Sequence, residues 1–149
     1  MLSLKNSLAV LRKTNALLDG HFVLSSGLHS PSYVQCAKLL SLPNKSEKFT
    51  KSLANKIKKT FKNIDLILSP AMGGIVIGYE IGRVLRKETI FCERVDGNFK
   101  LRRGFNIKKK SRVLIIEDVI TTGKSSLECA KLIKKSDAIL LGFACLIDR

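Results

Sequence analysis

The sequence predicts one α/β domain built on a parallel sheet, and three observations carry that expectation. From residue 65 onward, short apolar runs alternate with helical patterns. Two of those runs, Asp65-Leu66-Ile67-Leu68-Ser69 and Arg112-Val113-Leu114-Ile115-Ile116, show no polar alternation, as expected of strands buried on both faces. The length of 149 residues suits a single domain, which at that size buries about two thirds of its unfolded surface without a disulfide or metal staple.

Each element has its own signal. Leu4 to Thr14 carries Leu4, Leu8 and Leu11 at helical spacing behind Ser3, a suitable N-cap. Asp19-Gly20 breaks the chain. His21 to Leu24 and Tyr33 to Leu40 read as short strands around a Ser-Ser-Gly turn and Pro31. A second helix, 46–62, opens after Pro43 and sets Phe49, Leu53, Ile57 and Phe61 at steps of four. Then follow a strand at 65–69, a tight loop Ala71-Met72-Gly73-Gly74, a helix from Ile75 to Arg86 and a strand from Thr89 to Cys92. Arg94 to Lys110 is polar, basic and glycine-containing, which predicts a long excursion. The strand from Arg112 leads to a loop at 118–124, a helix at 125–135 and a last strand from Ala138 to Ile147. The first 42 residues form an N-terminal portion and 43–149 the α/β core. Ligands of such sheets bind at the carboxyl ends of the strands, so loops 69–74, 94–106 and 117–125 converge on one edge.

Composition narrows the function classes. Lys+Arg number 27 against 12 Asp+Glu, a net charge of +15, which admits nucleic acid, an anionic membrane or a phosphorylated small substrate. Aromatics are 6% of the chain and Trp is absent, so the lysines lack interleaved stacking platforms and read as a solvated surface. No nucleic-acid-reading module is recognisable, and no nucleic-acid partner is expected. No apolar run approaches the roughly 18–20 residues of a membrane span, and the start lacks a secretory pattern. Cys36, Cys92, Cys129 and Cys145 form no CxxC pair, which fits reduced core thiols in a cytoplasmic protein. His21 and His29 have no third ligand nearby, so no metal site is read there.

The chemistry concentrates in Glu117-Asp118-Val119-Ile120-Thr121-Thr122-Gly123-Lys124-Ser125. An apolar strand runs into two acids, then a hydroxyl- and glycine-rich turn, then a helix. Thr121 to Ser125 set backbone N–H groups and hydroxyls at a helix N-terminus, a ready anion site. Glu117 and Asp118 would repel a phosphate, but they suit the hydroxyls of a pentose attached to it, or a magnesium ion beside it. A sugar phosphate satisfies both halves. The segment is not a Walker A loop, which needs glycine where Asp118 stands.

These residues resemble the phosphoribosyl pyrophosphate (PRPP) motif of type I phosphoribosyltransferases. Gly20-His21-Phe22-Val23-Leu24-Ser25-Ser26-Gly27-Leu28-His29-Ser30-Pro31-Ser32-Tyr33 is similar to the hood segment of the orotate phosphoribosyltransferases within that family. Ser69 to Gly74 resembles the family's pyrophosphate loop, Glu93-Arg94 and the basic stretch to Phe105 its mobile catalytic loop, and Leu146-Ile147-Asp148-Arg149 a strand end carrying an orotate-contacting arginine. The resemblance spans essentially the whole chain. It implies the type I fold, with a small N-terminal hood and a flexible basic loop at about 94–110. It implies transfer of a phosphoribosyl group from PRPP to orotate with Mg2+ carried by PRPP. It assigns PRPP binding to Glu117, Asp118, Val119, Ile120, Thr121, Thr122, Gly123, Lys124 and Ser125. Orotate binding falls to Thr121 and Arg149, and catalysis to Asp118 with Arg94, Lys100, Arg102 and Arg103. It also implies a homodimer in which the loop serves the neighbouring subunit.

Three family lysines are absent, their positions being Ser25, Gly73 and Val95. Lys100, Arg102 and Arg103 are the candidate replacements. Relatives continue past the Asp-Arg with another strand and helix, which reads as a C-terminal truncation. The alternatives are a phosphoribosyltransferase for another base, a PRPP-binding regulator, and an inactive truncated relative.

Overall fold

The computed structural model describes residues 2–23 and 27–149. Ser25, one of the replaced family lysines, lies outside the described residues. Two compact units, Met1–Phe49 and Thr50–Arg149, part inside the long helix α3 (Pro43–Thr60) rather than at 42/43. Pro43 is a first-turn helix residue, a position where its missing N–H costs nothing, so it starts a helix and does not mark a boundary.

In the first unit, α1 (Leu4–Lys13) begins at the Ser3 cap, whose Oγ accepts the Asn6 N–H at 3.2 Å. β1 (Leu17–Val23) and β2 (His29–Val34) form an antiparallel ribbon with a bulge between Asp19 and Phe22. Cys36–Leu40, expected to prolong a strand, form the short helix α2. Its buried residues, Cys36, Leu39 and Leu40, are spaced i, i+3, i+4, a pattern only a helix brings to one face. Along α3 the buried residues are Ser46, Thr50, Ala54 and Ile57, while Phe49, Leu53 and Phe61 are half-buried. The most buried line runs through small residues one position beyond Phe49 and Leu53 and meets the expected stripe at Ile57, so the larger side chains flank it.

The second unit holds a five-stranded sheet in the order β5-β4-β3-β6-β7. β3 (Leu66–Pro70), β4 (Glu88–Val95), β6 (Arg112–Ile120) and β7 (Ile139–Asp148) are parallel, joined through α4 (Gly73–Leu85) and α5 (Lys124–Lys135). Helices cover both faces. Leu66, Leu68, Ile90, Cys92, Val113 and Ile115 pack with Cys129 and Ile133 of α5. On the other face, α4 lies so close to the sheet that side chains at Gly78 and Gly82 would collide with Ser69 and Thr89. Every residue of β3 is buried, as its unbroken apolar run predicts. At the amino edge, Arg112 grips Asp65 with Nε at 2.9 Å and Nη2 at 3.0 Å, and its backbone N–H donates to Asp65 Oδ2 at 2.8 Å.

Two expectations change. The segment 94–110 is not simply an excursion: β4 runs to Val95 and turns at Asp96-Gly97 into an antiparallel strand, β5 (Asn98–Lys100). Phe99 and Ile107 are buried in the α5-side core, with Leu101 and Phe105 packed against it. Four apolar residues spread among the cations thus anchor the segment. In addition, Asp118 to Ile120, expected in a loop, complete strand β6, and α5 begins at Lys124.

Candidate active site

The carboxyl edge of β6 carries the two acids. Successive strand residues point to opposite faces. Glu117 shares the face of Val113 and Ile115, turns toward α5 and is buried. Its Oε1 accepts a short hydrogen bond from the Ser126 hydroxyl. Burial pushes the Glu117 carboxyl above its usual range; the Ser126 bond pulls it back, and the neighbouring Asp118 charge pushes it further up. Asp118 turns the other way, toward the start of α4. A Cβ on Gly73 would stand 2.7 Å from both Asp118 carboxylate oxygens, so glycine leaves the carboxylate in this rotamer.

Thr121, Thr122 and Gly123 bridge β6 to α5. Gly123 adopts φ +73°, a left-handed conformation suited to glycine, and its carbonyl accepts the Leu127 N–H at 2.9 Å. The turn aims the first-turn N–H groups of α5, which have no intrahelical acceptor, out of the sheet edge. Thr121, Thr122 and Lys124 are exposed and Ser125 half-exposed, while Val119 and Ile120 are half-buried members of the strand.

The pyrophosphate-like loop lies beside this edge. The Ala71 N–H donates to Cys92 O at 2.8 Å, the Ala71–Met72 peptide is cis, and Met72 is exposed. β7 runs alongside β6 in register, with Glu117 opposite Cys145 and Ile120 opposite Asp148. The Arg149 N–H donates to Ile120 O at 2.9 Å, which sets Arg149 next to Thr121. These two expected orotate residues are brought together.

The expected cations are not gathered in one place. Arg94 lies on the α5 face of β4, with Nη2 2.6 Å from Glu128 Oε2, Nη1 donating to Gly97 O, and its guanidinium 4.3 Å from the Phe99 ring centre. Arg103 is held on the opposite face by Glu93 at 2.7 Å and lies over Phe91; its hydrogen bond lowers the Glu93 carboxyl below the usual range. Lys100 reaches Asp96 at 3.4 Å, and Arg102 is exposed. Val95 closes the hairpin opposite Asn98.

Sequence reading missed Ser126 and Glu128. Neither belongs to the motif, and their partners lie nine and 34 residues away, so no local pattern marks them. Cys92 and Cys129 are buried with sulfurs 3.2 Å apart; their contact and burial raise the Cys129 thiol, consistent with core packing. His21 Nε2 and His29 Nδ1 approach to 2.6 Å on the first unit's ribbon, but no cluster of three or more metal-ligating side chains occurs among the described residues.

The Phosphoribosyl transferase domain family matches residues 37–149. An orotate phosphoribosyltransferase from Helicobacter pylori (strain Shi470) is 48% identical over 141 residues, covering 95% of this chain and 70% of the relative. The chain belongs to the orotate phosphoribosyltransferase family. Solved structures of the wider type I family share its fold. An orotate phosphoribosyltransferase from Aeropyrum pernix superimposes with TM-score 0.81 at 19% identity, covering 94% of this chain and 92% of that one. An adenine phosphoribosyltransferase from Saccharomyces cerevisiae gives 0.74 at 16% identity, covering 95% and 89%. The fold is therefore common to enzymes named for different bases, and the sequence match carries the assignment to the orotate branch.

Proposed function

We propose that this chain transfers the 5-phosphoribosyl group of PRPP to orotate, releasing pyrophosphate and forming orotidine 5′-monophosphate in pyrimidine biosynthesis. The observation that carries the reading is the junction of β6 and α5, where two carboxylates meet a backbone N–H cradle in a chain 48% identical to a named orotate phosphoribosyltransferase. A ring nitrogen of orotate attacks the anomeric carbon as the bond to pyrophosphate breaks; the leaving group takes the bonding pair and the nitrogen's proton passes to solvent. The pentose gains oxocarbenium character while charge accumulates on pyrophosphate, so the protein contributes positioning and electrostatics.

Thr121 to Ser125 take the 5′-phosphate at the α5 N-terminus. Glu117 and Asp118, leaving β6 on opposite faces, accept hydroxyls of a ribose lying across the strand end. Thr121 and Arg149 contact orotate, and an arginine fork matches its carboxylate. Arg94, Lys100, Arg102 and Arg103 offset the pyrophosphate charge, with the basic hairpin serving the neighbouring subunit of a homodimer. Mg2+ enters with PRPP, whose phosphate oxygens suit this hard cation. When bound, the ion neutralises diphosphate charge. The reading includes cytoplasmic action. No helix of the described residues is long and apolar enough to cross a membrane.

The test is pyrophosphate release with PRPP and Mg2+ in the presence of orotate, adenine or hypoxanthine. Release that depends on orotate is the expected result. Release with a purine overturns the base assignment. PRPP binding without turnover on any base would leave a PRPP-binding regulator or an inactive relative.

A further inference from the structure

We infer that Ser126 is a positioning residue for Glu117: its hydroxyl holds one carboxylate oxygen so that the other is presented to the ribose. This rests on the phosphoribosyl-transfer reading. Ser126 lies outside the expected phosphate cradle, one residue beyond Ser125, and is only 3% exposed. It is therefore not a phosphate-contacting side chain. Instead its Oγ turns inward and donates to Glu117 Oε1, linking the third residue of α5 to the fourth-last residue of β6.

Glu117 needs such a partner. It is 7% exposed, and a buried carboxylate without a donor loses its solvation with nothing in return. Among the described residues, the titratable groups on its face are thiols, Cys129 on α5 and Cys145 opposite it on β7, while Asp118 beside it on β6 adds like charge from the other face. Ser126 supplies a hydrogen bond to the ionised form. It also fixes the rotamer of a flexible side chain at the point where the phosphate cradle begins, so the ribose and phosphate contacts share one rigid junction. Because the bond favours the ionised carboxylate, its loss raises the Glu117 carboxyl further and makes ribose binding more sensitive to acid.

The experiment compares wild type, Ser126→Ala and Ser126→Thr in the full chain. Initial rates are measured against PRPP and orotate from acid to neutral pH. Glu117 is titrated by carboxyl NMR in the ligand-free protein, with Glu117→Gln assigning the signal. Ser126→Ala is expected to raise the KM for PRPP about tenfold, the scale of a lost charge-assisted hydrogen bond. The KM for orotate stays unchanged, the acid limb of kcat/KM for PRPP moves to higher pH, and Glu117 titrates at higher pH. Ser126→Thr keeps the hydroxyl and restores all three properties. An alanine variant with unchanged PRPP KM and Glu117 titration overturns the inference, as does a threonine variant that folds normally yet behaves like alanine. If wild type turns over no base, the transferase reading fails, while the ligand-free titration still decides the Ser126–Glu117 link.

Discussion

Gly73 and Asp118 are locked together by space: a Cβ on the glycine would lie 2.7 Å from both oxygens of the carboxylate. The first residue of α4 is thus fitted to an acid at the end of β6. Gly73→Ala must displace the Asp118 side chain or shift the helix. The carboxylate end of the half-buried Asp118 can swing aside, so the expected stability cost is about 1 kcal/mol or less, together with a lower kcat/KM for PRPP. Thermal melts and steady-state kinetics check both. Gly73→Lys is expected to be worse than alanine, because the longer side chain carries the same clash.

Asp118→Asn keeps the shape of the side chain and removes its charge. Under the ribose-hydroxyl role, kcat/KM for PRPP falls about tenfold to a hundredfold, the scale of lost charge-assisted hydrogen bonds. Stability changes little, since Asp118 is only half-buried. Kinetics matching wild type would remove Asp118 from the site.

Arg149 reaches Ile120 through its backbone, so alanine keeps the strand-end hydrogen bond and loses only the guanidinium. Arg149→Ala is expected to raise the orotate KM about tenfold or more while leaving the calorimetric affinity for PRPP intact. Equal weakening of both substrates would place the arginine elsewhere.

Much of this site was legible in the chain. The unbroken apolar runs at 66–68 and 113–116 mark buried parallel strands, and the acids, threonines and glycine after the second run mark the junction that follows. What stayed hidden depends on residues far apart in sequence. Cys36 to Leu40 looks like a strand continuation until helical spacing puts three apolar residues on one face. The basic stretch after Arg94 reads as a loop because Phe99 and Ile107 are isolated among cations, yet both reach the core. Adjacent acids suggest a single pincer, whereas strand geometry sends Glu117 to α5 and Asp118 to α4.

Asp65 gives a pH dependence remote from the site. The Arg112 side-chain and backbone hydrogen bonds lower its carboxyl from 3.8 to about 2. A depressed carboxyl stabilises the fold above its unfolded value, and that contribution fades as pH falls from about 4 toward 2. Asp65→Asn is therefore expected to melt below wild type at neutral pH, with the gap closing as pH approaches 2. Urea titrations over this range measure it; a gap that widens in acid would show that the Arg112 pair is not its source.

Arg94 is held within its own chain by Glu128 at 2.6 Å, with side-chain exposures of 41% and 24%. The contact is an ion pair without an aligned hydrogen bond at Glu128 Oε2, so the diphosphate of a substrate can compete for the guanidinium. Arg94→Ala is expected to lower kcat with little change in the melt. If the basic hairpin serves the neighbouring subunit, an equal mixture of Arg94→Ala and Asp118→Asn chains forms heterodimers with one intact site. Such a mixture recovers about a quarter of wild-type activity by random pairing in a symmetric dimer. No recovery, with subunit exchange verified by differently tagged chains, would mean that Arg94 acts in the site of its own chain, on the side where Glu128 now holds it.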